Sequence, residues 1–306
     1  MSYVNYEEQY FNGLKDIMEN GVVCVSGRQS DGNRVTRTKR KWGVSFTIDL
    51  QKEFPVLKSK HVAVKSSIRE ILWIMRKQSN NINELIPHIW DKWADPDGSV
   101  GKSYGYQVAR ETKHNGIVYN NQVDYVLRLL EKDPSSRHAV IDLWRCDELD
   151  EMNLCPCVYT SHFAIMDGKL NCMVTQRSGD YLVGVPFNTT QYAFLTIAFA
   201  RHLGVEPGIL LHNISDAHIY ESQYGDFDTE EQTESYSKLL HNYDKLCGKG
   251  DDNDCEELYG MANSKPELRF ETATNSFWEI NDHCFFVDNY VAGINCFEDL
   301  EFEVES

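Results

Sequence analysis

The sequence predicts a single α+β domain built on a large, mostly antiparallel or mixed sheet. Three observations carry this. Short alternating or β-branched segments recur, at VSFTIDL, RHAVIDLW and GILLHNISDAHIY. Two more, VYTSHFAIM and KLNCMVTQ, are joined by Asp167-Gly168, a favoured two-residue hairpin turn. The segment NTTQYAFLTIAFARHLG has Asn and Thr start signals, an almost wholly apolar body and a Gly stop, which marks a buried central helix.

In chain order, Tyr10, Phe11, Leu14, Ile17 and Met18 fall at helical spacing in a first helix ending near Gly21. A basic stretch follows, RQSDGNRVTRTKRKWG, with SDG as a turn signal. SSIREILWIMRKQ reads as a helix with Glu70 beside its apolar stripe. NINELIPHIWDKWADPDGSVGKSYG begins helical and ends in a Gly/Asp/Pro loop, and QVDYVLRLLEKDPSS is an amphipathic helix stopped by DPSS. Residues 223–265 turn acidic and polar, and read as a solvated insertion consisting of a surface helix and a loose loop. The C-terminal part regains aromatics, and no internal repeat is present, so residues 1–306 are read as one domain.

The chain has 306 residues, 42% of them hydrophobic, enough for a substantial core. A net charge of −17 disfavours non-specific nucleic-acid binding, which relies on clustered Lys and Arg. It leaves room for a nucleotide substrate, because a few buried arginines can hold one phosphate. The first residues are acidic and unlike a signal peptide, and no apolar run reaches the length of a membrane helix, so a cytoplasmic location is expected. Nine cysteines, an odd number scattered over a long chain, read as reduced thiols.

Four segments could carry chemistry. In LCPCV, Cys155 and Cys157 flank a proline. They could be core thiols, a redox pair or a nucleophile; a metal site would need a second ligand motif, and none follows. In TQRSGD, Arg177 and Ser178 could grip a phosphate, and Arg177 could favour the thiolate of a nearby cysteine. Asn188 in GVPFN could cap the buried helix or read a base, since a carboxamide matches the N3–H and O4 of uracil. In DAHIY, His218 and Tyr220 lie two apart on one face of a strand.

Taken together and in this order, PC, QRSGD, GVPFN and DAHIY resemble the thymidylate synthase family. FPVLKSK, IREILWIM, HIWDKWADPDGSVGKSYGYQ and DPSSR add to the resemblance, which covers most of residues 1–221. It implies a homodimer built on a bent sheet, with active sites that share residues across the interface. It implies one-carbon transfer from 5,10-methylenetetrahydrofolate, the co-substrate, to C5 of deoxyuridylate (dUMP), and no metal. By the same resemblance Cys157 is the nucleophile, Glu70 manages protons near O4, and Tyr104 is an active-site tyrosine. Arg34, Arg177 and Ser178 hold the phosphate, with Gly179 and Asp180 in the same substrate-binding segment. Arg137 reaches the partner's phosphate site. Asn188 reads the pyrimidine, and His218 and Tyr220 hold the ribose 3′-hydroxyl. Trp90, Asp180 and Lys60 contact folate.

These residue types suit the reaction. Uracil C5 is a poor nucleophile until a thiolate adds at C6, which places charge on O4 and reactivity at C5. The sequence departs from the family at four places. Val158 and His138 stand where His and a second phosphate-clamp Arg are common; residues 223–265 look added; and the tail EFEVES ends in Glu305 and Ser306 instead of a small apolar residue. A charged tail would admit water to the site, so a hydroxymethylase giving 5-hydroxymethyl-dUMP and tetrahydrofolate is the alternative to methylation. Asn188 argues against a cytidylate enzyme. A non-catalytic nucleotide- or RNA-binding relative would be expected to have lost Cys157 or Arg177.

Overall fold

The first helical periodicity folds as α1 (Tyr6–Asn20), which buries Tyr6, Tyr10, Phe11, Leu14 and Ile17 and is capped by the Asn5 side chain on the Glu8 N–H. The computed structural model describes residues 3–30, 34–85, 89–248 and 265–290. The basic stretch after α1 is not merely a turn. It pairs as a long hairpin, β1 (Val22–Ser30) and β2 (Arg34–Asp49), in which VSFTIDL is only the second half of one strand.

Helix α2 (Val64–Leu72) runs into a π-helical turn, Trp73–Lys77, which stops at Gln78 in a left-handed conformation. The next segment, expected to begin helical, makes short 3-10 turns at Ile82–Glu84 and Asp91–Trp93 among its described residues. The Asn81 side chain there binds the Asn83 N–H, and Asn81 bridges Ser99, so the backbone is committed to the loop. A four-residue helix α3 (Gly105–Val108), the small hairpin β3 (Thr112–His114) and β4 (Ile117–Tyr119), helix α4 (Gln122–Lys132) and the short strand β5 (Val140–Asp142) follow.

The predicted hairpin is β6 (Val158–Met166) and β7 (Lys169–Asp180). Asp167 and Gly168 both take positive φ, 52° and 69°, as this mirror-image turn requires. The apolar segment is α5 (Gly184–Leu203), closed by Gly204 at φ 68°. It leads into β8 (Glu206–Tyr220). The remaining elements are α6 (Glu221–Tyr224), the pair β9 (Gly225–Asp226) and β10 (Glu231–Gln232), α7 (Glu234–Leu246), and the pair β11 (Glu267–Phe270) and β12 (Phe285–Asp288).

The main sheet has the order β1-β2-β8-β7-β6-β5. All its pairs are antiparallel except β7 with β8, so the sheet is mixed, as expected. Parallel neighbours need a crossover, and α5 supplies it. Its body is buried nearly all round, between the sheet and α2. The other face of the sheet carries His162, Met173 and Leu211 in one cross-strand row and Thr160, Thr175 and Asn213 in the next, all at least partly exposed.

Within the acidic segment, α7 is the expected helix, but Tyr236, Leu239 and Asn242 are buried, and Asn242 donates to the Ser59 carbonyl. Residues 249–264, where a loose acidic loop is expected, lie outside the described residues, as do Glu305 and Ser306. None of the described cysteines is in a disulfide, and no described helix is long and apolar enough to cross a membrane.

Candidate active site

Cys157 lies immediately before β6 and is half-buried. Its backbone is held at both ends: its N–H donates to the Tyr104 hydroxyl at 2.9 Å, and its carbonyl accepts the Arg177 N–H at 2.8 Å. The Arg177 guanidinium then folds around the same turn. It donates to the carbonyls of Pro156 (3.0 Å) and Cys155 (2.9 Å) and approaches Cys157 Sγ at 3.9 Å. Its outer face lies 5.5 Å from the Trp144 ring centroid. A fixed cation beside a thiol favours the thiolate. Cys155 turns away, with Sγ 3.9 Å from the Leu149 carbonyl.

Tyr104 occupies an unusual backbone conformation, φ 30° and ψ −92°. Its ring packs edge-on against Trp90, with centroids 5.2 Å apart, and burial pushes its hydroxyl well above the ordinary phenol range. Trp90 is itself buried against Trp73 and Trp93. Its indole N–H points at Glu70 on α2. Burial raises the Glu70 carboxyl to about 7, against the opposing pull of donors from Gln191 and Trp90.

Asn188 is not a helix cap. Helix α5 begins four residues earlier, at Gly184, with Pro186 in its first turn where a missing N–H costs nothing. No side chain caps the helix, and Asp180 instead accepts the N–H groups of Leu182 and Val183, in the turn just before it, at 3.2 Å each. Inside the helix, the Asn188 carboxamide bonds with Gln176 and Gln191.

At the end of β7, Ser178 pairs with Asp216 and Asp180 with His218 across the parallel ladder. Gly179 lies between them under α5. A Cβ there would come within 2.8 Å of Val185 Cγ2 and 2.9 Å of Ile214 Cγ2, so only glycine lets helix and sheet close. Burial raises the Asp180 carboxyl, while His218, the Gln223 donor and Lys60 oppose the shift. Lys60 is buried too, donates to the Leu182 carbonyl and is brought down to about 8 by desolvation. His218 is lowered to about 4 by burial, and its ring packs edge-on against Tyr220 at 5.2 Å.

The structure therefore brings Cys157, Arg177, Tyr104, Trp90, Glu70 and Asn188 into one connected group, with Ser178 to Asp180, Lys60, His218 and Tyr220 along the adjoining strand ends. Two expected residues stand apart. Arg137 and His138 are exposed in the loop before β5, where the His138 ring meets His114 at 3.4 Å, its N–H donates to Ser136 Oγ, and its carbonyl accepts from the Tyr125 hydroxyl and the Val140 N–H. Arg34 begins β2, and its side chain lies outside the described residues. Sequence reasoning gave no role to Gln176, Gln191, Gln223 or Trp144. For Gln191 there was a signal, a lone amide in an apolar helix one turn after Asn188.

A thiol beside a guanidinium, a carboxyl poised near neutrality and an amide able to read a pyrimidine edge form a site for nucleophilic addition to a base. Comparison with known proteins agrees. A family model described as thymidylate synthase matches residues 8–246. The chain is 40% identical over 222 residues to a thymidylate synthase of Clostridium beijerinckii, covering 71% of this chain and 78% of that one. It is 38% identical over 230 residues to thymidylate synthase 1 of Bacillus subtilis, covering 70% and 79%. The solved structure of thermostable thymidylate synthase A from Bacillus subtilis superposes with a TM-score of 0.78 at 32% identity, covering 98% of this chain and 99% of that one. Family model, fold and sequence thus agree, and the chain belongs to the thymidylate synthase family.

Proposed function

We propose that the protein methylates dUMP at C5 to give dTMP, with Cys157 as nucleophile. The observation that supports this most is the Arg177 guanidinium, anchored on two carbonyls of the Cys155–Cys157 turn and directed at the Cys157 sulfur. The thiolate adds to C6 of the uracil ring, and the charge passes to O4. Asn188 holds N3–H and O4. Glu70, with a carboxyl near 7, exchanges protons at O4 through water. Ser178 and Arg177 hold the phosphate, with Arg34 added from β2, and His218 and Tyr220 hold the ribose.

Methylenetetrahydrofolate supplies the one-carbon unit and the hydride. The residues present fit it: Trp90 and Tyr104 form an aromatic wall beside Glu70, and Lys60 and Asp180 place polar groups at the adjoining strand ends. These side chains orient the co-substrate and exclude water from C5. The relatives compared above are all named thymidylate synthases, so methylation is favoured over hydroxymethylation.

The protein acts as a homodimer in this reading. The open sheet face carries Met173 and Leu211, and on it His162 Nε2 is buried without a partner among the described residues. Arg137 is exposed and joined to none of the other site residues by a described contact, which suits a residue completing a neighbour's site. The test is to incubate protein with dUMP and methylenetetrahydrofolate and identify both products. Thymidylate with dihydrofolate is expected, whereas 5-hydroxymethyl-dUMP with tetrahydrofolate, or no turnover, rejects the reading.

A further inference from the structure

The amides of the site, Gln176 and Gln191 buried and Asn188 half-buried, form one chain of hydrogen bonds from Glu70 to His212. Gln191 Nε2 donates to Glu70 Oε1 at 2.9 Å and to the Ser67 carbonyl at 3.3 Å. Gln191 Oε1 accepts from Asn188 Nδ2 at 3.0 Å. Asn188 Oδ1 accepts from Gln176 Nε2 at 3.2 Å, and the same Nε2 donates to the Ser178 carbonyl at 2.8 Å. Gln176 Oε1 then meets His212 Nε2 at 2.8 Å. On its other side, His212 Nδ1 lies 3.0 Å from Thr189 Oγ1.

A carboxamide has a donor and an acceptor of nearly equal size. Turned one way, Asn188 matches the N3–H and O4 of uracil. Turned over, it matches the N3 and amino group of cytosine. A carboxamide free to flip would serve both bases, so the preference for uracil expected of Asn188 needs its orientation fixed from outside. Every link in this chain points one way. The Ser67 and Ser178 carbonyls only accept, which turns the NH₂ groups of both glutamines toward them. The sequence of donors and acceptors then closes only if His212 donates from Nε2. Burial lowers His212 to about 3, so near neutrality it carries one ring proton. With that proton on Nε2, Nδ1 is an unprotonated ring nitrogen facing Thr189 Oγ1, whose hydroxyl has the Val185 carbonyl at 2.8 Å as its other acceptor.

We propose that His212, as the Nε2–H tautomer, is a specificity-positioning residue that holds Gln176, and through it the Asn188 carboxamide, in the orientation that accepts uracil and rejects cytosine. The proposal rests on Asn188 as the base reader. It assigns a task in substrate choice to a histidine buried in β8, two side chains away from that reader.

Two measurements test it. In protein labelled with ¹⁵N-histidine, the ring nitrogen shifts of His212 report the tautomer without any substitution. Nε2–H is expected, and Nδ1–H overturns the proposal. Second, the KM for dUMP and the inhibition constant for dCMP are compared in variants. His212→Leu is expected to lower discrimination between the two nucleotides about tenfold, the worth of one hydrogen bond. His212→Gln, which restores an N–H toward Gln176, is expected to recover most of it. Equal weakening of both nucleotides in His212→Leu, with no recovery in His212→Gln, would show a packing role and overturn the proposal. Asn188→Asp separates the two layers: unchanged selectivity there rejects the base-reading role itself, whereas a shift toward dCMP with no effect at His212 rejects only the relay.

Discussion

The indole N–H of Trp90 donates to Oε2 of Glu70 at 2.9 Å, so the side chains proposed as aromatic wall and proton-handling carboxylate are directly joined. Glu70 receives a second donor from Gln191, yet burial still holds its carboxyl near 7. The carboxylate is thus neither fully ionised nor fully protonated at neutral pH, which suits a group that gives and takes protons in one cycle.

Turnover that needs ionised Glu70 rises with pH through about 7. Glu70→Gln is expected to remove that limb and to lower kcat by about 10²- to 10⁴-fold. For stability the sign is opposite. Because the folded-state carboxyl is raised, its contribution is complete below the usual carboxylate range and is lost as pH rises through about 7. A pH–rate profile and urea denaturation on both sides of neutrality check the two effects.

Arg177→Lys keeps the charge but loses the fork that spans the Cys155 and Pro156 carbonyls. The thiolate of Cys157 should be less favoured. The pH midpoint of Cys157 alkylation by iodoacetamide is expected to move upward, with kcat falling more than KM rises. An unmoved alkylation profile removes Arg177 from thiol activation.

Tyr104→Phe leaves the Cys157 N–H without its acceptor. A lost partner for a buried donor costs about 1–3 kcal/mol. Denaturation should show a loss of that size, and kcat should fall because the nucleophile's backbone is released. Stability and rate both at wild-type levels would mean that water replaces the hydroxyl.

Arg137→Ala and Cys157→Ala proteins should each be nearly inactive alone. Mixed under conditions that exchange subunits, they are expected to regain turnover, since one site of each mixed dimer keeps both residues. Absence of recovery, with exchange shown by mass, counts against a shared site.

The sequence determined much of the fold. Period-two alternation and Asp167-Gly168 specified the β6–β7 hairpin, and the apolar run to Gly204 specified the crossover helix, because local sterics and burial act within a few residues. It was less informative for β1–β2, whose charged residues lie in a long hairpin, and for α7, whose acidic surface hid buried Tyr236 and Leu239. The chemical residue types were legible too: Cys157, Arg177, Asn188 and Glu70 stood out in ordered motifs. Tertiary structure alone decided how they join. Gln191 lies 121 residues from Glu70, and His212 lies 36 from Gln176, yet each pair is hydrogen-bonded in the core. No local pattern encodes such a pairing. It exists because a parallel β7–β8 ladder and α5 packed above it bring distant polar groups into a space without water, where each must find the partner that the fold supplies.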